Sequence, residues 1–286
     1  MKDRRWSLAR TAAAPVFAVL TAIPTALSAP AQAPQAPIQD NSFLVEEAYN
    51  QEHGVVQTIL TYQRVTGSPA YVSTLTQEWP ATGQRHQLSL TVPLQGALTE
   101  GGVAQGLGDV ALNYRLQIVG DGESPAALSP RLTLLIPAGN ADRNLGSGGY
   151  GAQVNLPLSL ALSPSFVTHT NLGATHVFAA RGLAGESVAL TSWNAGQSVV
   201  WLARKDFNVL LEAVVYGNET PRSGGGTERT TEAWISPGVR FAVDLPGHLQ
   251  IVPGIAAPLG VGPSRGKTGL FLYLSVELPV FGGENR

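Results

Sequence analysis

The stretch Gly108-Asp109-Val110-Ala111-Leu112-Asn113-Tyr114-Arg115-Leu116-Gln117-Ile118 decides the fold. Val110, Leu112, Tyr114, Leu116 and Ile118 alternate with Asp109, Ala111, Asn113, Arg115 and Gln117. Extended chain sends successive side chains to opposite faces, so this pattern makes an amphipathic strand with one apolar and one polar side. Leu270 to Phe281 repeats it: Leu270, Leu272, Leu274, Val276, Leu278 and Val280 face one way, and Phe271, Tyr273, Ser275, Glu277 and Pro279 the other. Similar but less regular candidates cover about residues 55 to 65, 70 to 80, 85 to 95, 127 to 137, 150 to 161, 165 to 178, 191 to 203, 207 to 217, 232 to 243 and 248 to 259, about twelve strands in all. Each runs ~10 to 14 residues, enough for a tilted crossing of a bilayer, whereas soluble strands average nearer ~5 or 6.

The placement of charge agrees with a membrane wall. Asp109, Arg115, Arg131, Glu212, Arg240 and Glu277 all fall on polar faces, and a charge on the lipid side costs up to ~2–4 kcal/mol at mid-membrane. A soluble exported β-sandwich shows the same parity with its faces exchanged, so parity alone leaves that alternative open. Connection lengths separate the two, because outer-membrane barrels alternate short periplasmic turns with longer outer loops. Short links fall at Ala81 to Gln84, Leu162 to Pro164, Arg204 to Asp206 and Asp244 to Gly247, with Val119 to Ala126 somewhat longer. Between them lie Gly96 to Leu107, Ala138 to Gly149, Ala179 to Leu190, Asn218 to Thr231 and Gly260 to Thr268; only the first outer loop, Thr66 to Pro69, is short. The expected fold is therefore all-β, an antiparallel up-and-down transmembrane β-barrel over residues 55–281 with both termini periplasmic. Tyr71, Trp79, Tyr150, Phe178, Phe207, Tyr216, Trp234 and Phe281 sit near strand ends, as expected of interfacial aromatic girdles.

Composition points the same way. Charged residues are 13% of the 286, against roughly a quarter in soluble domains, while apolar residues reach 44%. The absence of Cys excludes thiolate metal sites, thiol nucleophiles and disulfides. A basic start (Lys2, Arg4, Arg5, Arg10), an apolar stretch from Thr11 to Leu27 and small residues from Ser28 to Ala33 read as a signal peptide over residues 1–33, with several cleavage points open. Its removal takes four of 18 basic and one of 20 acidic residues and leaves a net charge of −5, an unfavourable balance for nucleic acid. Residues 34–54 form an N-terminal linker, of which Ile38 to Gly54 is polar enough for a short helix or a loop, placed either in the lumen or in the periplasm. Residues 282–286 are a short tail.

The residues also resemble a family of bacterial outer-membrane barrels labelled phenol-degradation (MetA-pathway) or simply transporter. The resemblance rests on Glu46-Glu47-Ala48-Tyr49-Asn50-Gln51 with Gly54-Val55-Val56-Gln57, on Gln77-Glu78-Trp79-Pro80, on Arg85-His86-Gln87-Leu88-Ser89, on Gly106-Leu107-Gly108-Asp109 with Leu112-Asn113-Tyr114-Arg115, and on Ser129-Pro130-Arg131-Leu132 with Pro137. It implies an outer-membrane channel or transporter for small, apolar or aromatic solutes, and no catalytic residues.

Catalytic and metal chemistry find little footing. No His is followed two residues later by Ser; His169 with Asn171 is the nearest imitation of a catalytic constellation and lacks a Ser at that offset. His169 and His176 lie seven apart, on opposite faces of a straight strand, so they share no ion. Gly146-Ser147-Gly148-Gly149 and Gly224-Gly225-Gly226 lack the Lys-Ser/Thr and helix that a phosphate loop needs. Neither an enzyme nor a cofactor or metal is expected. What remains is a polar lumen lined by Asp109, Asn113, Arg115, Arg131, Asn155, His169, Glu212, Arg240, Tyr273 and Glu277, with Arg115, Arg131 and Arg240 opposite Asp109, Glu212 and Glu277. Such groups either line a conductive path or close it by pairing, which leaves a closed structural barrel as the alternative. Outer-membrane lipid, the barrel-insertion machinery and an unidentified small solute are the expected partners, and the outer membrane the expected location.

Overall fold

The computed structural model describes residues 40–121, 124–222, 225–246 and 249–280. The signal peptide, residues 34–39 of the linker, the girdle position Phe281 and the tail lie outside them. The chain forms a closed antiparallel barrel of twelve staves, four of them broken into two strands. In chain order these are β1 (Val55–Val65), β2 (Tyr71–Pro80), β3 (His86–Thr99), the pair β4 (Gly102–Leu107) and β5 (Val110–Leu116), and the pair β6 (Ala126–Leu128) and β7 (Arg131–Ile136). There follow β8 (Gly151–Ser163), β9 (Phe166–Arg181), β10 (Ser187–Arg204), β11 (Phe207–Pro221), the pair β12 (Thr227–Phe241) and β13 (Val243–Leu245), the pair β14 (Leu249–Ala256) and β15 (Leu259–Gly260), and β16 (Gly269–Pro279). Neighbouring staves pair in sequence order, and β1 closes on β16 from Val55↔Pro279 to Val65↔Gly269. Among the described residues no helix is long and apolar enough to cross a membrane.

The two faces are inverted relative to a soluble sandwich. Leu60, Leu112, Leu132, Leu134, Leu156, Leu172 and Leu211 are exposed on the outside, while Asn113, Arg115, Arg131, Asn155, Glu212 and Arg240 are buried within. This arrangement suits lipid outside and polar partners inside, and it removes the sandwich alternative. On β10, Trp193 and Trp201 lie eight residues apart on the outer face, about 26 Å along a strand, close to the ~25 Å apolar band of outer-membrane barrels. Tyr150 and Phe178 also face outward, as expected of girdle residues.

Three expectations need correction. Tyr216 and Trp234 share parity with Glu212 and Arg240 and point into the lumen; Trp234 is only 7% exposed. Aromatic position along a strand does not reveal which face it occupies when the strand ends are uncertain by one residue. Gly96 to Leu107 is not an open loop, because β3 and β4 pair from Leu94↔Leu107 to Thr99↔Gly102, and Gly102 takes a positive φ of 116° in the tight reversal. Likewise β9 and β10 run on to Arg181 and from Ser187, and β11 and β12 to Pro221 and from Thr227, so two expected loops are projecting hairpins.

For Ile38 to Gly54 the structure selects the loop within the lumen from the alternatives left open. The described part of this stretch up to Gln51 is not a helix, and all twelve residues from Asp40 to Gln51 are buried inside the barrel.

A lumen occluded by the chain's own N-terminal segment

From Asp40 to Gln51 the segment passes round the wall broadly against the chain order of the staves, from β16 to β3, with Ser42 on β10 ahead of Leu44 and Val45 on β11. Asp40 accepts hydrogen bonds from Tyr273 Oη and Ser275 Oγ of β16, both at 2.8 Å. The Asn41 carbonyl accepts from Arg240 of β12, and Ser42 Oγ bonds Ser198 Oγ of β10 at 2.6 Å. Leu44 N and Val45 N both donate to Glu212 Oε1 of β11, at 2.7 and 3.0 Å. Glu46 then exchanges bonds with Asn171 of β9, its N donating to Asn171 Oδ1 (2.7 Å) and its carbonyl accepting from Asn171 Nδ2 (2.8 Å). Its carboxylate accepts from Asn155 Nδ2 of β8 at 2.8 Å and pairs with Arg131 Nη2 of β7 at 2.7 Å.

Ala48 N donates to Ser159 Oγ at 2.7 Å, and its carbonyl accepts from Ser129. Arg115 of β5 donates to Asn50 Oδ1 at 2.7 Å and to the Tyr49 carbonyl at 2.8 Å, while Asn50 N donates to Gln117 Oε1 at 3.0 Å. Gln51 N reaches Gln87 Oε1 of β3 at 2.7 Å. The circuit closes at Gln57 of β1, whose Nε2 donates to Asp40 Oδ1 at 3.1 Å and whose Oε1 accepts from Gln51 Nε2 at 2.6 Å.

The dimensions allow one such turn. Twelve extended residues span roughly 40 Å, a ring about 13 Å across. Twelve staves ~4.8 Å apart and tilted by ~40° give a wall about 24 Å across. The difference leaves about 5 to 6 Å on each side, the reach of an Asn, Gln, Glu or Arg side chain. The segment cannot be helical here, because the wall takes the N–H groups of Leu44, Val45, Glu46, Ala48, Asn50 and Gln51 that a helix would bond internally. Because ring and facing wall are all buried, the lumen is closed to water at this level.

The sequence-expected lining residues divide. Arg115, Arg131, Asn155, His169, Glu212, Arg240 and Tyr273 all face the ring. Asn113 supports from behind, accepting from Arg131 Nη1 at 3.2 Å and from Thr133 at 2.7 Å. Glu277 is reached by Gln57 Nε2 at 3.3 Å, at the end of the barrel where the chain enters β1. Asp109 lies between β4 and β5 and anchors the opposite rim, accepting from Gly139 N (3.1 Å), Ser147 N (2.7 Å) and Ser147 Oγ (2.6 Å). The expected facing of three arginines against three wall carboxylates is thus replaced by contacts of each arginine with the ring. Sequence reasoning missed Asp40, Phe43, Glu46, Asn50 and Gln51 as site residues; for all but Phe43 the signal was a run of carboxylates and amides denser than a linker requires.

One catalytic lookalike dissolves on inspection of its partners. The Ser that His169 lacks on its own strand comes from β8, where Ser159 Oγ lies 2.7 Å from His169 Nδ1, with Glu47 Oε2 3.9 Å from Nε2. Ser159 Oγ also accepts the Ala48 N–H, and Ser159, His169 and Glu47 are all buried, so the group holds the ring and presents no nucleophile to the lumen. Among the described residues no cluster of His, Asp and Glu has metal-binding geometry.

Fold and lumen together define a closed antiparallel β-barrel of the outer-membrane type, occluded by its own N-terminal segment. Among solved structures, it is similar to the COG4313 outer membrane channel from Pseudomonas putida F1, at 14% identity with a TM-score of 0.64 over 81% of this chain and 98% of that one. It is also similar to the NanC porin, at 13% identity with a TM-score of 0.52 over 78% and 98%. No protein-family model matches the chain, and no curated protein matches it in sequence.

Proposed function

We propose that the protein is an outer-membrane channel for small solutes, apolar or aromatic ones in particular, and that Asp40 to Gln51 is its gate. The observation that carries this proposal is how the gate is held. It contributes no strand to the barrel, and apart from the apolar packing of Phe43, Leu44 and Val45 its contacts with the wall are chiefly hydrogen bonds together with the Glu46–Arg131 ion pair, which water can replace if the segment withdraws. A part built only to fill the lumen needs no polar seam, since apolar packing is as stabilising as buried ion pairs or more so. The phenol-degradation resemblance, carried by motifs that include Glu46 to Gln51, supports an apolar or aromatic cargo. The signal-like N-terminus supports export through the inner membrane, with outer-membrane lipid and the barrel-insertion machinery as partners. The total burial of the ring favours the other reading, a closed structural barrel.

Planar-bilayer conductance separates the two. The chain has no Cys, and Ser42 Oγ and Ser198 Oγ are 2.6 Å apart, so S42C/S198C ties the gate to the wall. We expect no current from the oxidised variant, current after reduction, and a constant open level from a variant lacking residues 40–51. Silence in all three states establishes the closed barrel instead.

A further inference from the structure

The inner wall is polar over most of its circumference, with Thr61, Thr74, Thr76 and Thr91 hydrogen-bonded across β1 to β3. On the staves from β12 to β16 an apolar patch lies among the inward-facing Ser236, Arg240, Ser275 and Glu277. Trp234, Val252, Ala256, Phe271 and Tyr273 are buried there in one cluster. Phe43, Leu44 and Val45 of the ring join this cluster, and Phe43 alone of them meets its aromatic residues: the Phe43 ring centroid lies 5.6 Å from that of Phe271 and 5.5 Å from that of Tyr273, at interplanar angles of 33° and 48°.

The wall behind Phe43 is bare backbone. A Cβ at Gly238 would stand 2.6 Å from Phe43 Cε2, and one at Gly254 would stand 2.6 Å from both Cε1 and Cζ. Gly weakens a strand and marks a close approach from another group. Here two glycines on paired strands clear a slot as thick as one aromatic ring, walled by two further rings.

We propose that this slot is the lumen's binding site for the aromatic ring of a solute, that Phe43 occupies it as a built-in surrogate, and that an entering planar ring displaces Phe43 and starts release of the gate. The proposal rests on the channel function given above. Of the ring's anchors, Asp40, Ser42, Glu46, Ala48 and Asn50 are held by charged or hydrogen-bonding partners that an uncharged apolar solute cannot replace. Phe43 is held by ring contacts and apolar burial, which a solute ring reproduces one for one. Its displacement strains the adjoining anchors at Ser42 and at Leu44 and Val45, the last two sharing one Glu212 oxygen.

The test uses Ser42→Cys as the sole thiol of the refolded, vesicle-embedded protein, with its rate of reaction with a water-soluble maleimide as the readout. Toluene is the probe, and cyclohexane at equal membrane concentration controls for general softening of the bilayer. We expect toluene to accelerate labelling several-fold and cyclohexane to leave it unchanged. In F43A/S42C the slot is empty, so toluene enters without displacing anything and its effect on the rate disappears. No acceleration in S42C, equal acceleration by cyclohexane, or the same response after Phe43→Ala overturns the proposal. The channel function is judged separately by conductance: current through the variant lacking residues 40–51 together with an unresponsive thiol removes the slot and keeps the channel. A responsive thiol without any current keeps the slot as a ligand site and removes the channel.

Discussion

Glu46 Oε1 and Arg131 Nη2 form an ion pair of 2.7 Å in which both side chains are buried, and it joins the gate to the barrel wall. Removing one partner of a buried pair leaves the other charge uncompensated, at a cost of about 3–5 kcal/mol. In Glu46→Ala the barrel relieves that cost by letting the gate leave, since water then reaches Arg131. We expect maleimide labelling of Ser42→Cys to rise more than ~100-fold in the E46A background, following the same energy, with the heat-modifiable barrel band retained on gels. Labelling at the parental rate shows that the pair does not hold the gate.

Leu132, 56% exposed on β7, is flanked by the inward-facing Arg131 and Thr133. Leu132→Arg is expected to destabilise the barrel in lipid vesicles by about 2–4 kcal/mol, the cost of a cation facing the bilayer core. Leu183 is similarly exposed but lies in the turn between β9 and β10, beyond the aromatic girdle, so Leu183→Arg is expected to be nearly neutral. Reversible denaturant unfolding followed by Trp fluorescence measures both; equal costs contradict the placement of the lipid belt.

Gly254→Ala places a methyl group against the Phe43 ring, an overpacking expected to cost about 1–3 kcal/mol. Phe43→Ala removes the clash, so the F43A/G254A double variant should be more stable than the sum of the single effects by ~0.5–3 kcal/mol. A double-mutant cycle of unfolding free energies gives this coupling directly, and additivity of the two changes is inconsistent with Phe43 resting on Gly254.

Glu52 precedes β1, just beyond the ring, and partial burial pushes its carboxyl up from the ordinary 4.5 to about 7. A raised carboxyl binds its proton more tightly in the folded chain, so its stabilising effect is complete below pH 4.5 and disappears as pH rises through about 7. Between pH 5 and 8 the unfolding midpoint of the wild type should therefore fall relative to that of Glu52→Gln. Parallel pH profiles for the two proteins contradict this.

The barrel was legible because its causes are local and repeated. Leu112, Tyr114 and Leu116 against Asn113 and Arg115 express a rule that any lipid-facing strand obeys, and short links such as Leu162 to Pro164 show which ends are joined tightly. The shared polar face of Arg115, Arg131, Glu212 and Arg240 followed from the same parity, and the rhythm of short and long links turned that face inward. Trp234 and Tyr216 were placed on the girdle instead of inside, because proximity to a strand end carries no information about face. Asp109 shares the parity of Arg115 yet serves a rim loop, because β4 and β5 break beside it and Ser147 folds back to reach it.

The sequence by itself determined an antiparallel barrel of about twelve strands and its two alternating faces, since alternation depends on neighbours one or two positions apart and the link lengths show which face turns inward. Only the tertiary structure decided what the polar inside is for. Asp40 meets Tyr273 and Ser275 across more than 230 residues, and Glu46 meets Asn155, Asn171 and Arg131 on three different strands. Those partners come together only when the sheet closes on itself, and no period along the chain records which side chain will face which across a lumen. The same closure sets Gly238 and Gly254 side by side behind Phe43, a slot that three separated residues do not announce.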